Sequence, residues 1–298
     1  MGSNRGAALL IVLAIVALLS VAVVQFQREA RVERTYAANT LAALEAQGLV
    51  RSGAAAGVAL IRAEDPDVLG RDGYWNSEVG HLIPVGENTV SLKIEDQYGK
   101  FPLGALIDKD GVPVLKMVDA YKRLLEGMEL EDIDIEELTW ALVDWIDDDS
   151  TDDQYEFNEN FVVPNSPIEH LDELGRITGY DQLAPETLAA ILSYLDTRAE
   201  AEVNVNTASV PMLMGLTPTL TIEEAEDLYA QLGEAPAEAE AAISGIIPIS
   251  ARAMKALFSS NRIRLILSAD VRDVRREADC ILEKDKDDVF RIADWTQN

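Results

Sequence analysis

From Ala7 to Val24 the chain is apolar at every position except Ser20, and no ionisable side chain occurs between Arg5 and Arg28. A helix needs about 20 such residues to cross the roughly 30 Å hydrocarbon layer of a bilayer. A secretory signal would be shorter and would end in a polar segment with a small-residue cleavage site. Here the helical character continues instead. Gln25 to Ala63 is rich in Ala, Leu, Glu and Arg and lacks proline, and the first break is Asp65-Pro66. The pattern predicts one helix from Ala7 to Arg62, about 80 Å long at about 1.5 Å per residue. Leu41, Leu44, Gly48, Ala55 and Val58 approximate a three-and-four spacing, so this small-residue face is expected to pack on a globular body.

Beyond the break the period changes. Glu87 to Tyr98 alternates, with Val90, Leu92 and Ile94 against Ser91, Lys93 and Glu95, which predicts a half-buried strand ended by Gly99. Pro113 to Asp149 turns helical. Val118, Tyr121, Leu124 and Leu125 form one stripe, and Ile135, Leu138, Leu142, Val143 and Ile146 form a second, with Glu136 and Glu137 in its first turn. Ala235 to Ala242, rich in Ala, Glu and Pro, reads as a linker or short exposed helix, and Ser250 to Ser259 as helical. Strands are predicted over Arg262 to Val274, Ala278 to Leu282 and Val289 to Ala293, with a charged turn from Lys284 to Asp288. The late strands complete the sheet begun near Val90, giving an α+β body with a long helical insertion between strands.

Composition narrows the chemistry. With 53 acidic against 25 basic side chains, the net charge of -28 repels nucleic acid phosphates and anionic lipid headgroups and favours cationic partners or divalent cations. Cys280 is the only cysteine, which excludes an intrachain disulfide, and its alternating apolar surroundings mark it as a small buried hydrophobe. His81 and His170 are far apart and sit in no catalytic motif. An enzyme would have to draw on dispersed acids such as Glu131, Asp134 and Asp144, which carry no specific signature, so no catalytic residue is assigned. The run Glu202-Val-Asn-Val-Asn-Thr-Ala-Ser209 also occurs in DNA-binding helical hairpins, with Thr207 or Asn206 as a natural helix cap. No Lys or Arg occurs from Thr207 to Ala242, however, and acidic side chains are many there, which argues against DNA binding.

Asp147, Asp148, Asp149, Asp152 and Asp153 crowd into seven positions. Such carboxylates need either water or a bridging cation, and an oxygen-only cluster suits calcium. The register is not that of an EF-hand: with Asp148 first, Ser150, Asp152 and Glu159 fall at ligand positions, but Asp153 stands where the turn glycine belongs. A calcium loop and a solvated acidic loop both fit the residues alone.

Asn4-Arg-Gly-Ala-Ala-Leu-Leu-Ile-Val-Leu13 resembles the start of a type IV prepilin or type II secretion pseudopilin. In those proteins a short basic leader ends in glycine and is removed by a prepilin peptidase. The resemblance implies a cut between Gly6 and Ala7, with Ala7 as the N-methylated first residue. Most such proteins carry glutamate five residues into the mature chain; this one has Ile11, a habit of the K-type minor pseudopilin. Leu142-Val-Asp-Trp-Ile-Asp-Asp-Asp149 and Asn165-Ser-Pro-Ile-Glu-His-Leu-Asp-Glu-Leu-Gly-Arg-Ile-Thr-Gly179 also resemble that family, in order and at comparable spacing. A partial likeness covers Leu92 to Leu103, where Pro102 and Gly104 replace common asparagines.

The resemblance implies a pilin-like fold: residues 1–6 as leader, 7–26 as membrane span, 27–110 and 246–298 as pilin-like domain, and 111–245 as inserted helical domain. It implies a pseudopilus tip subunit that initiates assembly for protein export. Its partners would be the I-type and J-type minor pseudopilins, the major pseudopilin and the prepilin peptidase, with the span in the bacterial inner membrane and the body in the periplasm. It also implies calcium at the acidic loop, with Asp147, Asp149, Asp152 and Asp153 as ligands. The family's Gly-Ala-Glu is missing there, and Asp152 is the candidate to replace its glutamate. A type IV pilus minor pilin or a generic membrane-anchored periplasmic protein are the alternatives.

Overall fold

The structure is a computed structural model that describes residues 3–64, 67–71, 73, 80–148 and 164–297. Helix α1 runs without interruption over Ser3–Arg62, as the unbroken pattern predicts. The strands β1 (His81–Val85), β2 (Asn88–Asp96), β7 (Arg262–Val271), β8 (Val274–Lys284) and β9 (Phe290–Gln297) form one antiparallel sheet in the order β1-β2-β7-β8-β9. The alternation read from the sequence is realised in β2 and β7: Val90, Leu92, Ile94, Ile263, Leu265 and Leu267 are all buried on one face. Strand β1 was not anticipated; it contains Pro84 and occupies an edge, the place where a missing N–H is tolerated.

The face of α1 that meets this sheet differs from the expected one. Leu41 and Leu44 are 66% and 60% exposed, and the buried line runs through Ala42, Ala46, Leu49, Gly53, Ala54, Gly57 and Ile61. The reason is steric. A Cβ at Gly53 would lie 2.6 Å from Val90 Cγ1, and one at Gly57 2.8 Å from Leu265 Cδ1, so the helix lies too close for anything larger at these two positions. Closeness of approach selected the face, over size of the apolar side chains.

Between β2 and β7, which are hydrogen-bonded neighbours, the chain leaves the sheet to build a second core. That domain contains β3 (Phe101–Pro102), α2 (Leu115–Glu126), α3 (Ile135–Ile146), α4 (Pro185–Ser193), β4 (Leu195–Asp196), β5 (Glu202–Asn204), α5 (Val210–Leu216), α6 (Ile222–Glu234) and β6 (Lys255–Leu257). Both predicted helical stripes are buried except for the half-buried Ile135, and the Tyr121 and Tyr180 hydroxyls meet at 2.7 Å in the interior. The core takes in Phe101, Leu103 and Leu106 on one side and Ala253, Met254 and Ala256 on the other, so its apolar boundary lies outside 111–245.

Two local expectations are corrected. Ser250 to Ser259 contains one short helical turn, Ile249–Ala251, followed by β6, because β5 offers that segment a parallel partner. The helix after the Asn-Val-Asn run is capped by Ser209, whose Oγ accepts from Met212 N at 3.3 Å, and not by Asn206 or Thr207, whose side chains are committed elsewhere.

Candidate functional site

The free half of α1 is the first functional feature. Leu9 to Phe26 presents exposed large apolar side chains throughout, and the helix does not meet the sheet until Ala42. Within the described residues it is the one helix long and apolar enough to cross a membrane. Gly6 and Ala7 both lie inside α1 near its start. The Ser20 hydroxyl donates to Val16 O at 2.8 Å, so the only hydroxyl in the apolar run is satisfied within the helix.

Where the insertion joins the sheet, a buried polar network replaces apolar contact. Asp96, at the end of β2, is buried; its carboxylate accepts from Tyr98 N at 2.8 Å, Asn204 Nδ2 at 2.8 Å and Thr207 Oγ1 at 2.6 Å. Burial raises its pKa, and the surrounding donors oppose that shift by favouring the charged form. Asn204 also donates to Leu69 O at 3.0 Å. Asn206 exchanges bonds with Ala237, N to Oδ1 at 2.8 Å and Nδ2 to O at 2.9 Å, and donates to Phe258 O at 3.1 Å. This tethers the segment read as an exposed linker: Ala237 is buried. Arg198 lies over the Tyr98 ring at 4.1 Å, donates to Lys100 O at 2.6 Å, and has Asp196 Oδ1 3.5 Å from its Nε. The Asn-x-Asn motif is thus a structural hub. The sequence signal was its alternation, since Asn204 and Asn206 interleave with the fully buried Val203 and Val205, and a buried amide needs partners.

The acidic region comes next. Asp147 ends α3; it is buried, and its N–H bonds Val143 O at 2.9 Å. Asp149, Asp152 and Asp153 lie outside the described residues. Asp148 N bonds Gly111 O at 3.1 Å, and Gly111 has φ 75°, with a Cβ there reaching 2.5 Å from Asp148 Cβ, so only glycine fits the turn. Asp108 Oδ1 accepts from Val112 N and Asp110 N, which holds its carboxyl below the ordinary range. Asp108, Asp110, Asp148, Asn165 and Ser166 line a cleft of about 900 Å³ beside the point where the acidic loop departs. The donors are oxygens, the kind calcium takes. Among the described residues, however, no three carboxylates converge on one point, so any ion there needs the loop to complete its shell. Of the acids weighed for catalysis, Asp134 caps α3 by accepting from Glu137 N at 3.0 Å, a structural task.

A helix apolar at its free end and long enough to cross a membrane, packed at the other end on an antiparallel sheet that carries a helical domain between two neighbouring strands, defines a pilin-like fold. The model of the family "Type II secretion system (T2SS), protein K" matches residues 99–197. The type II secretion system protein K of Klebsiella pneumoniae is 29% identical over 246 residues, covering 76% of this chain and 74% of the relative. A chain in the crystal structure of the GspK-GspI-GspJ complex of the enterotoxigenic Escherichia coli type 2 secretion system shares the fold, with TM-score 0.60 and 14% identity over 91% of this chain and 99% of that one. Together these likenesses support a type II secretion system protein K, a minor pseudopilin of type II secretion.

Proposed function

We propose that this subunit forms the tip of the pseudopilus and initiates its assembly, together with I-type and J-type minor pseudopilins, from a processed and anchored precursor. The observation that carries this reading is the position of the insertion. Gly53 packs on Val90 and Leu267, and Gly57 on Leu92 and Leu265, so α1 climbs the sheet toward Asp96 and Arg262. The insertion leaves and rejoins at that upper end, opposite the apolar half of the helix, and its bulk blocks a further subunit from stacking above. Ile11 agrees with this. A carboxylate at that depth would pair with the terminal amine of a subunit ahead, and a tip has none ahead. The relative's complex with GspI and GspJ supports the choice of partners.

In this reading cleavage falls between Gly6 and Ala7, with Ala7 methylated. The span lies in the inner membrane, the body lies in the periplasm, and the role is structural rather than catalytic. Contacts with the major pseudopilin lie below the tip. Calcium is held where α3 ends, by Asp147, Asp149, Asp152 and Asp153, with the cleft around Asp108 and Asp148 adjoining. Its chemistry would be to neutralise the crowded carboxylates and fix the loop.

The test mixes the body from Arg28 onward with the I-type and J-type soluble domains of the same organism, with and without calcium, and sizes the products by light scattering. A ternary complex that chelator dissolves supports both statements. A body that stays monomeric in both conditions refutes the tip assignment.

A further inference from the structure

Just beyond the apolar run, α1 carries five charges arranged in an unusual way. Arg28, Arg31 and Arg34 follow one another at helical spacing, and so do Glu29 and Glu33, yet no Arg and Glu stand three or four apart. The helix therefore stacks like charges and forgoes the i,i+4 pairs that would stabilise it alone. All five are exposed, and among the described residues none of them forms an ion pair. Their sides are not arbitrary. Stepping up by threes and fours, Arg28 and Arg31 lead through Thr35 and the half-buried Ala38 to Ala42, Ala46 and Leu49, the line the sheet covers. Glu29 and Glu33 lead through Ala37 to Leu41, Leu44 and Gly48, which face away from it. Arg34 leads by the same steps to Ala37 and Leu41, outside the covered line.

We propose that Arg28 and Arg31 bind the phosphate groups of anionic phospholipids on the surface from which α1 emerges. Resting on the anchored reading above, the proposal assigns this helix a lean toward its own body. At about 1.5 Å per residue, Arg28 and Arg31 stand about 3 and 8 Å above Phe26. That is the depth of a headgroup layer about 5–8 Å thick, and arginine snorkels into it. A tilt toward the body, ordinary at about 20° for membrane helices, lays the arginine line on the phosphates and lifts Glu29 and Glu33 into water. The tilt explains why the two signs are segregated.

A neighbouring subunit fits this face less well. From Ala42 upward the sheet occupies that side, so another anchored body at the same height would collide with it. The β7–β8 hairpin, which points the same way, adds no net attraction: Arg272, Arg275 and Arg276 are balanced by Asp270, Asp273 and Glu277. The acidic remainder is screened from the surface beyond about 8 Å at physiological salt.

The test uses the full chain reconstituted in vesicles of phosphatidylcholine alone or with added phosphatidylglycerol. Spin labels go on T35C, in the arginine line, or on A37C, in the outward line, while the buried Cys280 stays shielded. Collision with a water-soluble nickel chelate reads immersion. With phosphatidylglycerol collision at position 35, which stands about 14 Å above Phe26 when the helix is upright, falls as the lean lowers it toward the surface while that at 37 does not, and each of R28Q and R31Q shifts the leaning population roughly fivefold toward upright. R28Q/R31Q abolishes the difference, whereas R34Q and E29Q/E33Q preserve it.

A chain that does not float with vesicles overturns the anchored reading and this proposal with it. A chain that floats, yet reads alike in both lipids or keeps the difference after R28Q/R31Q, overturns the proposal alone. Shielding by inorganic phosphate in neutral vesicles, or only on addition of I-type and J-type subunits, overturns it in favour of a free-anion site or a partner helix.

Discussion

Three glycines in α1 provide a graded test of how tightly helix and sheet meet. Alanine in place of glycine inside a helix is worth about 1 kcal/mol in propensity. At Gly48 a new Cβ has nothing within 4 Å, so G48A should collect that full gain. At Gly53 the Cβ arrives 2.6 Å from Val90 Cγ1 and 2.9 Å from Leu267 Cδ2, both on fully buried side chains, and valine has little χ1 freedom with which to yield. Overpacking of this kind costs about 1–3 kcal/mol, so G53A should fall about 1–3 kcal/mol below G48A. Gly57 presses on leucine tips, Leu265 Cδ1 at 2.8 Å and Leu92 Cδ2 at 3.3 Å, which rotate more easily, so G57A should fall between the two. The reporter is built in. Cys280 is buried in this core, and burial together with Asp294 pushes its thiol up to about 11, so it reacts only when the sheet opens. Urea titrations read by thiol labelling give the order directly. If G53A gained as much as G48A, the close approach that chose the face of α1 would be wrong.

Two further outcomes follow from charged groups near the junction. Glu95 is half-buried, which alone would raise its pKa, but Lys100 at 2.9 Å and Lys93 at 2.8 Å outweigh that and bring it from 4.5 down to about 2. Its contribution, roughly 3 kcal/mol at most, is present above the ordinary carboxylate range and lost as pH falls through the folded value. The urea midpoints of wild type and E95Q should therefore differ at pH 7 and converge toward pH 2, and a gap that persists there contradicts the ion pairs. Asn204→Ala removes one donor from the buried Asp96 carboxylate and should cost about 3 kcal/mol. Amide exchange should quicken around Tyr98 and Val203 while the packed half of α1 keeps its protection, and unchanged exchange at Tyr98 would count against the network.

What could be read in advance was whatever one period describes. The unbroken run to Arg62, the alternation of β2 and β7 and the two stripes of α2 and α3 each need only local spacing, and each is present. What escaped depended on contacts distant in sequence. The buried line of α1 is set by Val90, Leu265 and Leu267, and β6 exists because β5 pairs with it. Asn206 holds Ala237, 31 residues away, which composition alone marks as linker. The acidic loop was legible as a cluster of like charges, but its neighbours Asp108 and Asp110 come from a turn far upstream that no spacing rule connects to it.

The junction is polar for a reason that bears on assembly. Two apolar cores joined by a greasy seam could slide, because hydrophobic contact has no direction. Here Asp96 ends β2, and three donors from separate points, Tyr98, Asn204 and Thr207, converge on its carboxylate. Rotating the insertion by even a few degrees would strand a buried carboxyl without its partners, at a cost above that of losing some contact area. The insertion is thereby fixed to the strand that α1 packs against, at positions the helix also touches through Leu92 and Val90. A push along α1 then reaches the helical domain through hydrogen bonds with defined angles, which is what the proposed tip role requires: an outer surface held in one orientation.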